Sequence, residues 1–224
     1  MFCAANYRAV CDRVVAACAR SNRAVSDVRL VAVTKYAPIE AVRELIGLGH
    51  RDLGESRPQQ LLERSAQLPG DVNWHLIGTL QRNKARKLLP AAAMIHSVDG
   101  LRLLETLDRL AEELSLHPRL LLEVNVSGEA SKHGFGPEDL RAVWPQIAAF
   151  ERLDVAGLMT MAPFSDDPET ARPHFRALRE LRDELAAKGP NPLTELSMGM
   201  SGDFEVAIEE GATCVRIGSL LFDE

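Results

Sequence analysis

The sequence predicts an α/β protein: a single-domain (β/α)8 TIM barrel spanning residues 1–224, with an extra N-terminal helix. Three observations carry that expectation. Eight short apolar runs alternate with segments of helical spacing along the chain. The first run, VRLVAV from Val28, is apolar at nearly every position, as a strand covered on both faces must be. No glycine-rich GxGxxG turn follows an early strand, which argues against an open, doubly wound sheet.

The elements follow in order. Tyr7, Val10, Val14, Ala17 and Cys18 recur at helical spacing, so a leading amphipathic helix is expected within residues 1–20, with the barrel over 28–224. After VRLVAV, candidate strands are DLGE from Asp52, VNWHLIG from Val72, MIHSV from Met94, RLLLEVNV from Arg119, LDVAGLM from Leu153, TELSM from Thr194 and CVRIG from Cys214. Between them lie IEAVRELIGLG, SRPQQLLERSAQ, QRNKARKLL, GLRLLETLDRLAEELS, PEDLRAVWPQIAAF, PETARPHFRALRELRDELAAKG and SGDFEVAIEEG, each with helical spacing or strong helix formers. Repeated βα units on short connections imply parallel pairing and right-handed crossovers. Eight of them close into a barrel. About 250 residues is usual for this fold. With 224 residues, and little beyond SLLFDE after the last strand, the opening helix is expected to fill the place of a final one.

Composition narrows the function. Lys and Arg number 26 against 32 Asp and Glu, a formal charge of −6, so nothing recommends a nucleic-acid partner. No run approaches the roughly 20 apolar residues that cross a bilayer. Arg8 and Asp12 interrupt the N-terminal stretch where a signal peptide needs its apolar core, so a cytoplasmic protein is expected. Cys3, Cys11, Cys18 and Cys214 form no CxxC pair and no zinc-like spacing with histidine. Core or subunit contact is their expected role. No metal cluster is evident.

In a (β/α)8 barrel, chemistry collects at the C-terminal strand ends. Lys35 follows the first strand. Apolar neighbours are expected to desolvate its ammonium and lower its pKa, and a neutral amine forms a Schiff base with an aldehyde. The plainer alternative is a lysine that snorkels from the rim. At the other end of the chain, LSMGMSGDFEVAIEEG runs from a strand through small residues into a helix, with Ser201 or Gly202 at its start. Free backbone N–H groups at such a start bind phosphate, and glycines let the chain pass close to a ligand. VRIGS places Arg216 and Gly218 on one side of the last strand, and Ser219 adds a hydroxyl and an amide. The alternative there is an ordinary cap and tight turn. Barrel closure makes strands one and eight neighbours. A phosphate site and an aldehyde-accepting lysine then suit pyridoxal 5'-phosphate (PLP), held as a covalent aldimine on Lys35. An arginine cannot give up its proton, so Arg216 facing the pyridine nitrogen would keep that nitrogen unprotonated and the ring a weak electron sink. The alternative is an arginine salt-bridged at the rim. His75 and His96 lie near strand ends. HSVD either frames the ring or caps the next helix through Ser97 or Asp99. LQRNKARK reads as a solvated face or an anion-attracting one.

Taken together, LVAVTK, LGESRPQQ, WHLIGTLQRNK, IHSVD, VNVSGEASKHGF, GLMTMAP and LSMGMSGDFEVAIEEGATCVRIGSLLF, in this order and over nearly the whole chain, resemble the YggS/PROSC family of PLP homeostasis proteins. The resemblance implies a fold type III-like PLP barrel similar to the N-terminal domain of alanine racemase. By motif, Lys35 is implied as the Schiff-base lysine. Ser201, Gly218 and Ser219 are implied as phosphate ligands, and Arg216 as the residue facing the pyridine nitrogen. Asn83 and Lys84 are implied near the pocket or in cofactor transfer. Two departures stand out. Ser56 occupies the place of an asparagine that the family keeps close to the cofactor, and the chain stops at Asp223 and Glu224, which is expected to loosen the final turn.

The resemblance implies a protein that holds and delivers PLP without established turnover. Its implied partners are PLP and apo PLP-dependent enzymes, with neither nucleic acid nor membrane, as a monomer or weak dimer. Two alternatives stay open. A small PLP racemase needs a second acid/base, and the sequence offers only Tyr7 and Tyr36. An aldolase or isomerase using Lys35 without PLP would be colourless.

Overall fold

The computed structural model describes residues 4–129 and 133–222. Eight parallel strands close into a barrel in chain order. They are β1 Arg29–Val33, β2 Asp52–Glu55, β3 Asn73–Leu76, β4 Met94–Val98, β5 Arg119–Glu123, β6 Asp154–Met159, β7 Glu195–Ser197 and β8 Cys214–Ile217. The helices are α1 Ala4–Arg20, α2 Ile39–Gly47, α3 Pro58–Ser65, α4 Arg82–Leu88, α5 Leu101–Leu114, α6 Pro137–Ala148, α7 Arg172–Ala186, α8 Phe204–Glu209 and α9 Ser219–Phe222. The (β/α)8 expectation therefore holds strand for strand. Among the described residues no helix is long and apolar enough to cross a membrane.

The helices show why the pattern was readable. α5 buries Leu103, Leu104, Leu107, Leu110 and Ala111, one stripe at helical spacing. α7 does the same with Phe175, Leu178, Leu181 and Leu185, after a separate 3-10 turn at Pro168–Ala171 where the sequence spacing predicts one continuous helix. α1 buries Val10, Val14, Ala17 and Cys18 and is tied to α8 by Arg13–Glu205 and Arg20–Glu209 ion pairs. Arg23 donates to the Ile208 and Ala212 carbonyls at 2.8 and 2.7 Å. The leading helix thus packs beside the last βα unit, as expected, although the short α9 also follows β8. Cys18 and Cys214 are buried and Cys11 is half-buried, all as free thiols. Cys3, Asp223 and Glu224 lie outside the described residues, as do 130–132 within the VNVSGEASKHGF motif.

β1 closes the barrel against β8, with Val31 opposite Arg216 and Ala32 opposite Ile217. Strand alternation then sorts the interior into layers. The floor is ionic: Glu195 accepts from Arg29, Arg119 and Thr213 at 3.4, 3.1 and 2.7 Å. The middle holds an apolar cluster of Met94, Leu121, Ala156 and Met159. Beside it runs a buried polar strip made of His75, His96, Ser197 and Arg216. The mouth above is where the sequence placed its chemistry.

Candidate functional site

Lys35 lies in the turn after β1, which ends at Val33. Thr34 turns the chain outward. Its amide donates to Gly54 O at 2.9 Å and its hydroxyl to Glu55 Oε1 at 2.6 Å. Gln60 Nε2 donates to Lys35 O at 2.9 Å, and Arg64 Nη2 to Ala37 O at 2.6 Å. The backbone of the lysine loop is therefore held from β2 and α3, while its side chain is free to turn about four carbons. The expectation of a desolvated amine does not hold. Lys35 is exposed, and its Nζ sits 5.1 Å from the Tyr36 ring centroid, within cation–π range. The apolar run that suggested burial belongs to the strand body, two residues earlier.

Ser56 follows β2 and is half-buried. It lines one cleft with Lys35, together with Tyr36, Arg57, Gln59, Gln60 and Glu63, of about 550 Å³. Backbone passes close by: a Cβ on Gly78 would come 2.2 Å from Ser56 O. Sequence reasoning missed the roles of Glu55 and Arg64. Glu55 is fully buried on the outward side of β2, its Oε1 lies 3.3 Å from Arg64 Nη1, and burial pushes its pKa up against the pull of Thr34, Arg64 and Lys35. A carboxylate inside an apolar strand demands a cation nearby. That demand was a readable signal.

On the β7–β8 side, Gly199 has φ +93°, and a Cβ there would meet Ala207 Cβ at 2.5 Å. Only glycine fits that turn. Its carbonyl accepts from the Arg216 amide at 3.0 Å. The following helix starts later than the sequence suggested. Ser201 to Asp203 form a turn, α8 begins at Phe204, and Asp203 Oδ1 accepts from Met200 N at 2.6 Å. Burial raises the Asp203 pKa, with that hydrogen bond and Arg216 opposing. Ser201 Oγ lies 3.4 Å from Gly218 N. Among the described residues, the backbone N–H groups of Ser201, Gly202 and Ser219 donate to no protein acceptor. Gly218 sits against β1: a Cβ there would be 3.3 Å from Val33 Cβ. The structure thus brings Ser201, Gly218 and Ser219 together beside the strand that leads to Lys35.

Arg216 is buried beneath them. Its Nη1 donates to Ser197 Oγ at 2.6 Å and its Nη2 to Thr160 O at 2.9 Å. Burial lowers its pKa, opposed by Cys214, Asp203 and Glu123. It is not the rim salt bridge that the alternative reading required. His75 and His96 are not loose strand-end residues but a bonded pair in the interior, 2.9 Å apart. Ser97 donates to Gly78 O at 2.6 Å rather than capping α5, whose N-cap is Gly100. Asn83 and Lys84 are exposed on α4, neither lines the lysine cleft, and among the described residues neither side chain hydrogen-bonds to Ser201 or Gly218. No group of three metal-binding side chains gathers among the described residues.

The family model for the alanine racemase N-terminal domain matches residues 11–223. The pyridoxal phosphate homeostasis protein of Aquifex aeolicus is 43% identical over 96% of this chain and 95% of its own length. The human pyridoxal phosphate homeostasis protein is 39% identical over 97% of this chain and 84% of its own. The chain belongs to the pyridoxal phosphate homeostasis protein family.

PipY of Synechococcus elongatus PCC7942, solved with PLP bound, is similar at a TM-score of 0.84, 40% identity, 95% coverage of this chain and 99% of that one. Alanine racemase of Clostridium difficile shares the fold alone, at 13% identity and TM-score 0.74, covering 98% of this chain and 56% of the racemase. For a member of the homeostasis family, the residues gathered at the mouth fit the cofactor's donor requirements. There is an amine on a fixed loop, a hydroxyl and free amides grouped for a phosphate, and a buried guanidinium on the same strand as Gly218.

Proposed function

We propose that the protein binds pyridoxal 5'-phosphate at the C-terminal mouth of the barrel and serves PLP homeostasis by holding and delivering it. The observation that carries this reading is the packing of Gly218 against Val33, which sets the β8 anion donors beside the lysine loop. Lys35 Nζ is the covalent anchor. Ser201 Oγ and the Gly218 and Ser219 amides take the phosphate. Ser56 lines the cleft beside Lys35, where its short hydroxyl leaves more room than an amide would.

PLP, when bound, supplies an aldehyde for attachment and an electron-withdrawing ring. Arg216 governs how far that ring is used. Its guanidinium donates and does not give up its proton, so a pyridine nitrogen set against it would stay unprotonated. Retention is favoured over carbanion chemistry. The tyrosines agree with this. Tyr7 lies 3.3 Å from His50 Nδ1, before β2 at the barrel floor, and Tyr36 adjoins Lys35 with its side chain 85% exposed. Neither supplies an acid/base across the mouth from Lys35. We assign no turnover to the protein.

The test is loading followed by transfer. Protein titrated with PLP is expected to develop a visible band, and then to activate an apo PLP-dependent enzyme. A preparation that stays colourless at saturating PLP contradicts binding. Activation no faster than free PLP is released contradicts directed delivery and leaves passive buffering.

A further inference from the structure

A line of hydrogen bonds crosses the barrel interior from floor to mouth. Asp52 Oδ1 lies 3.0 Å from His75 Nε2, His75 Nδ1 lies 2.9 Å from His96 Nε2, and His96 Nδ1 lies 2.8 Å from Ser197 Oγ. Arg216 Nη1 completes it by donating to Ser197 Oγ at 2.6 Å. His75, His96, Ser197 and Arg216 are no more than 4% exposed. The members come from β2, β3, β4, β7 and β8.

The two ends favour one direction for the hydrogens, with Cys214 as a further side-chain partner of Ser197. A guanidinium only donates, and a carboxylate only accepts. Ser197 Oγ accepts from Arg216 and gives its own hydrogen to His96 Nδ1. His96 then carries its hydrogen on Nε2 and donates it to His75 Nδ1. His75 in turn donates from Nε2 to Asp52. With the hydrogen on Nε2 of both rings, each bond of the line has one donor and one acceptor. Protonating either ring would set two donors against each other or turn the Ser197 hydroxyl away. Burial, reinforced by His75, Arg216 and Arg29, holds His96 well below the usual histidine range. At the floor, Asp52 is kept low by His75 and by Arg29, whose Nε is 3.6 Å away, against its own burial.

We propose that His96, acting through Ser197, is a positioning residue for Arg216, fixing the orientation in which the guanidinium meets the cofactor ring. The inference rests on the reading that Arg216 faces that ring. The serine alone is a weak tether, since a free hydroxyl rotates and moves its lone pairs. With His96 Nδ1 holding the hydrogen, a lone pair stays aimed at Arg216. Preorganisation of this kind spares the ligand the cost of ordering the side chain on binding.

The experiment combines two readouts. Nitrogen-15 NMR of the histidines in PLP-free protein is expected to show the ring hydrogen of both His75 and His96 on Nε2. An Nδ1–H tautomer or a protonated ring at either position overturns the directional chain. PLP titrations then compare the native protein with His96→Leu, His96→Asn, Ser197→Ala and Ser197→Thr, recording affinity and the visible band. His96→Leu and Ser197→Ala are expected to weaken binding about tenfold, the scale of one hydrogen bond to a charged group, and to shift the band. His96→Asn keeps an acceptor near the Nδ1 position and Ser197→Thr keeps the hydroxyl, so both are expected to stay within about threefold of native. Equal affinity and an unmoved band in His96→Leu overturn the proposal. So does a His96→Asn loss as large as that of His96→Leu. Where His96→Leu fails to fold, the Ser197 pair decides on the same criteria. If the native protein takes up no PLP, the proposed function falls. If it does and His96→Leu binds as tightly, only this inference falls.

Discussion

The two sides of the barrel mouth are built on opposite plans. On the β7–β8 side, Arg216 is buried, both of its terminal nitrogens are engaged, and the backbone beside it is locked by a glycine at φ +93°. On the β1–β2 side, Thr34, Glu55, Gln60 and Arg64 hold the loop backbone, but the Lys35 amine lies exposed against Tyr36. The difference teaches a division of labour. On the proposed function, the side that would take phosphate and ring is preset, and the side that would carry the covalent bond keeps its amine exposed on a fixed base. A protein that must both hold and release a cofactor needs both properties at once.

The largest effect is expected from removing that amine. Lys35→Ala should abolish covalent attachment while leaving weak binding that phosphate competes away, because Ser201, Gly218 and Ser219 are untouched. Borohydride treatment followed by mass measurement reads the first, and competition with inorganic phosphate the second. On the preset side, Arg216→Glu replaces a satisfied cation with an anion near Glu123 and Asp203. A buried uncompensated charge costs about 3–5 kcal/mol, so denaturant stability should fall and PLP should dissociate at least tenfold faster. Slow side reactions with amino acids should rise. Unchanged rates would remove Arg216 from the ring.

Gly199→Ala sharpens the same contrast at lower cost. Strain at positive φ and the close approach to Ala207 should cost about 1–3 kcal/mol, with a parallel loss of PLP affinity through the Arg216 amide. A barrel-wall control is Gly157→Ala, where a Cβ would lie 1.9 Å from Glu195 O. It should lower stability without selectively altering the visible band.

The smallest effect is a pH dependence of stability. Burial lowers the pKa of both His50 and His96 in the fold. An unfolded chain protonates these rings near 6.5, whereas the folded one does so at lower pH. Between those values the unfolded state binds more protons, so this contribution is full above about pH 6.5 and is lost as pH falls toward the folded values. The raised Glu55, Glu123 and Asp203 act with the opposite sign: their contribution is complete below about pH 4 and is lost as pH rises through their folded values. The histidine part should therefore destabilise the fold from pH 7.5 to 5.5, which is read as a smaller loss of melting temperature over that range in His50→Asn than in the native protein.

The barrel was legible because each strand and each helix carries its own local signal. VRLVAV and RLLLE have to be covered on both faces, and the Leu103–Ala111 stripe has to turn with helical pitch. The grouping of Ser201, Gly218 and Ser219 at the mouth was legible too, since glycine and serine at a strand end restrict what the backbone there can do. Lys35 was half legible. Its position after β1 was readable, but its exposure depends on Thr34 turning toward Glu55, a contact between residues 21 apart. The interior chain was not legible at all. His96 and Ser197 are 101 residues apart, and only closure of the barrel brings them within bonding distance. Asn83 and Lys84 belong to a motif with no local physical signal tying it to the mouth.

The central claim is that one small aldehyde phosphate is met by the β1 amine and the β8 anion donors together. Reductive trapping tests it most directly. The chain has five lysines, Lys35, Lys84, Lys87, Lys132 and Lys188, any of which PLP can label at high concentration. Borohydride reduction at stoichiometric PLP, followed by peptide mapping, is expected to give one labelled peptide, carrying Lys35, and to lose that label when Gly218 is replaced by a bulky residue. A label on another lysine, or one on Lys35 that is indifferent to Gly218, would contradict the account.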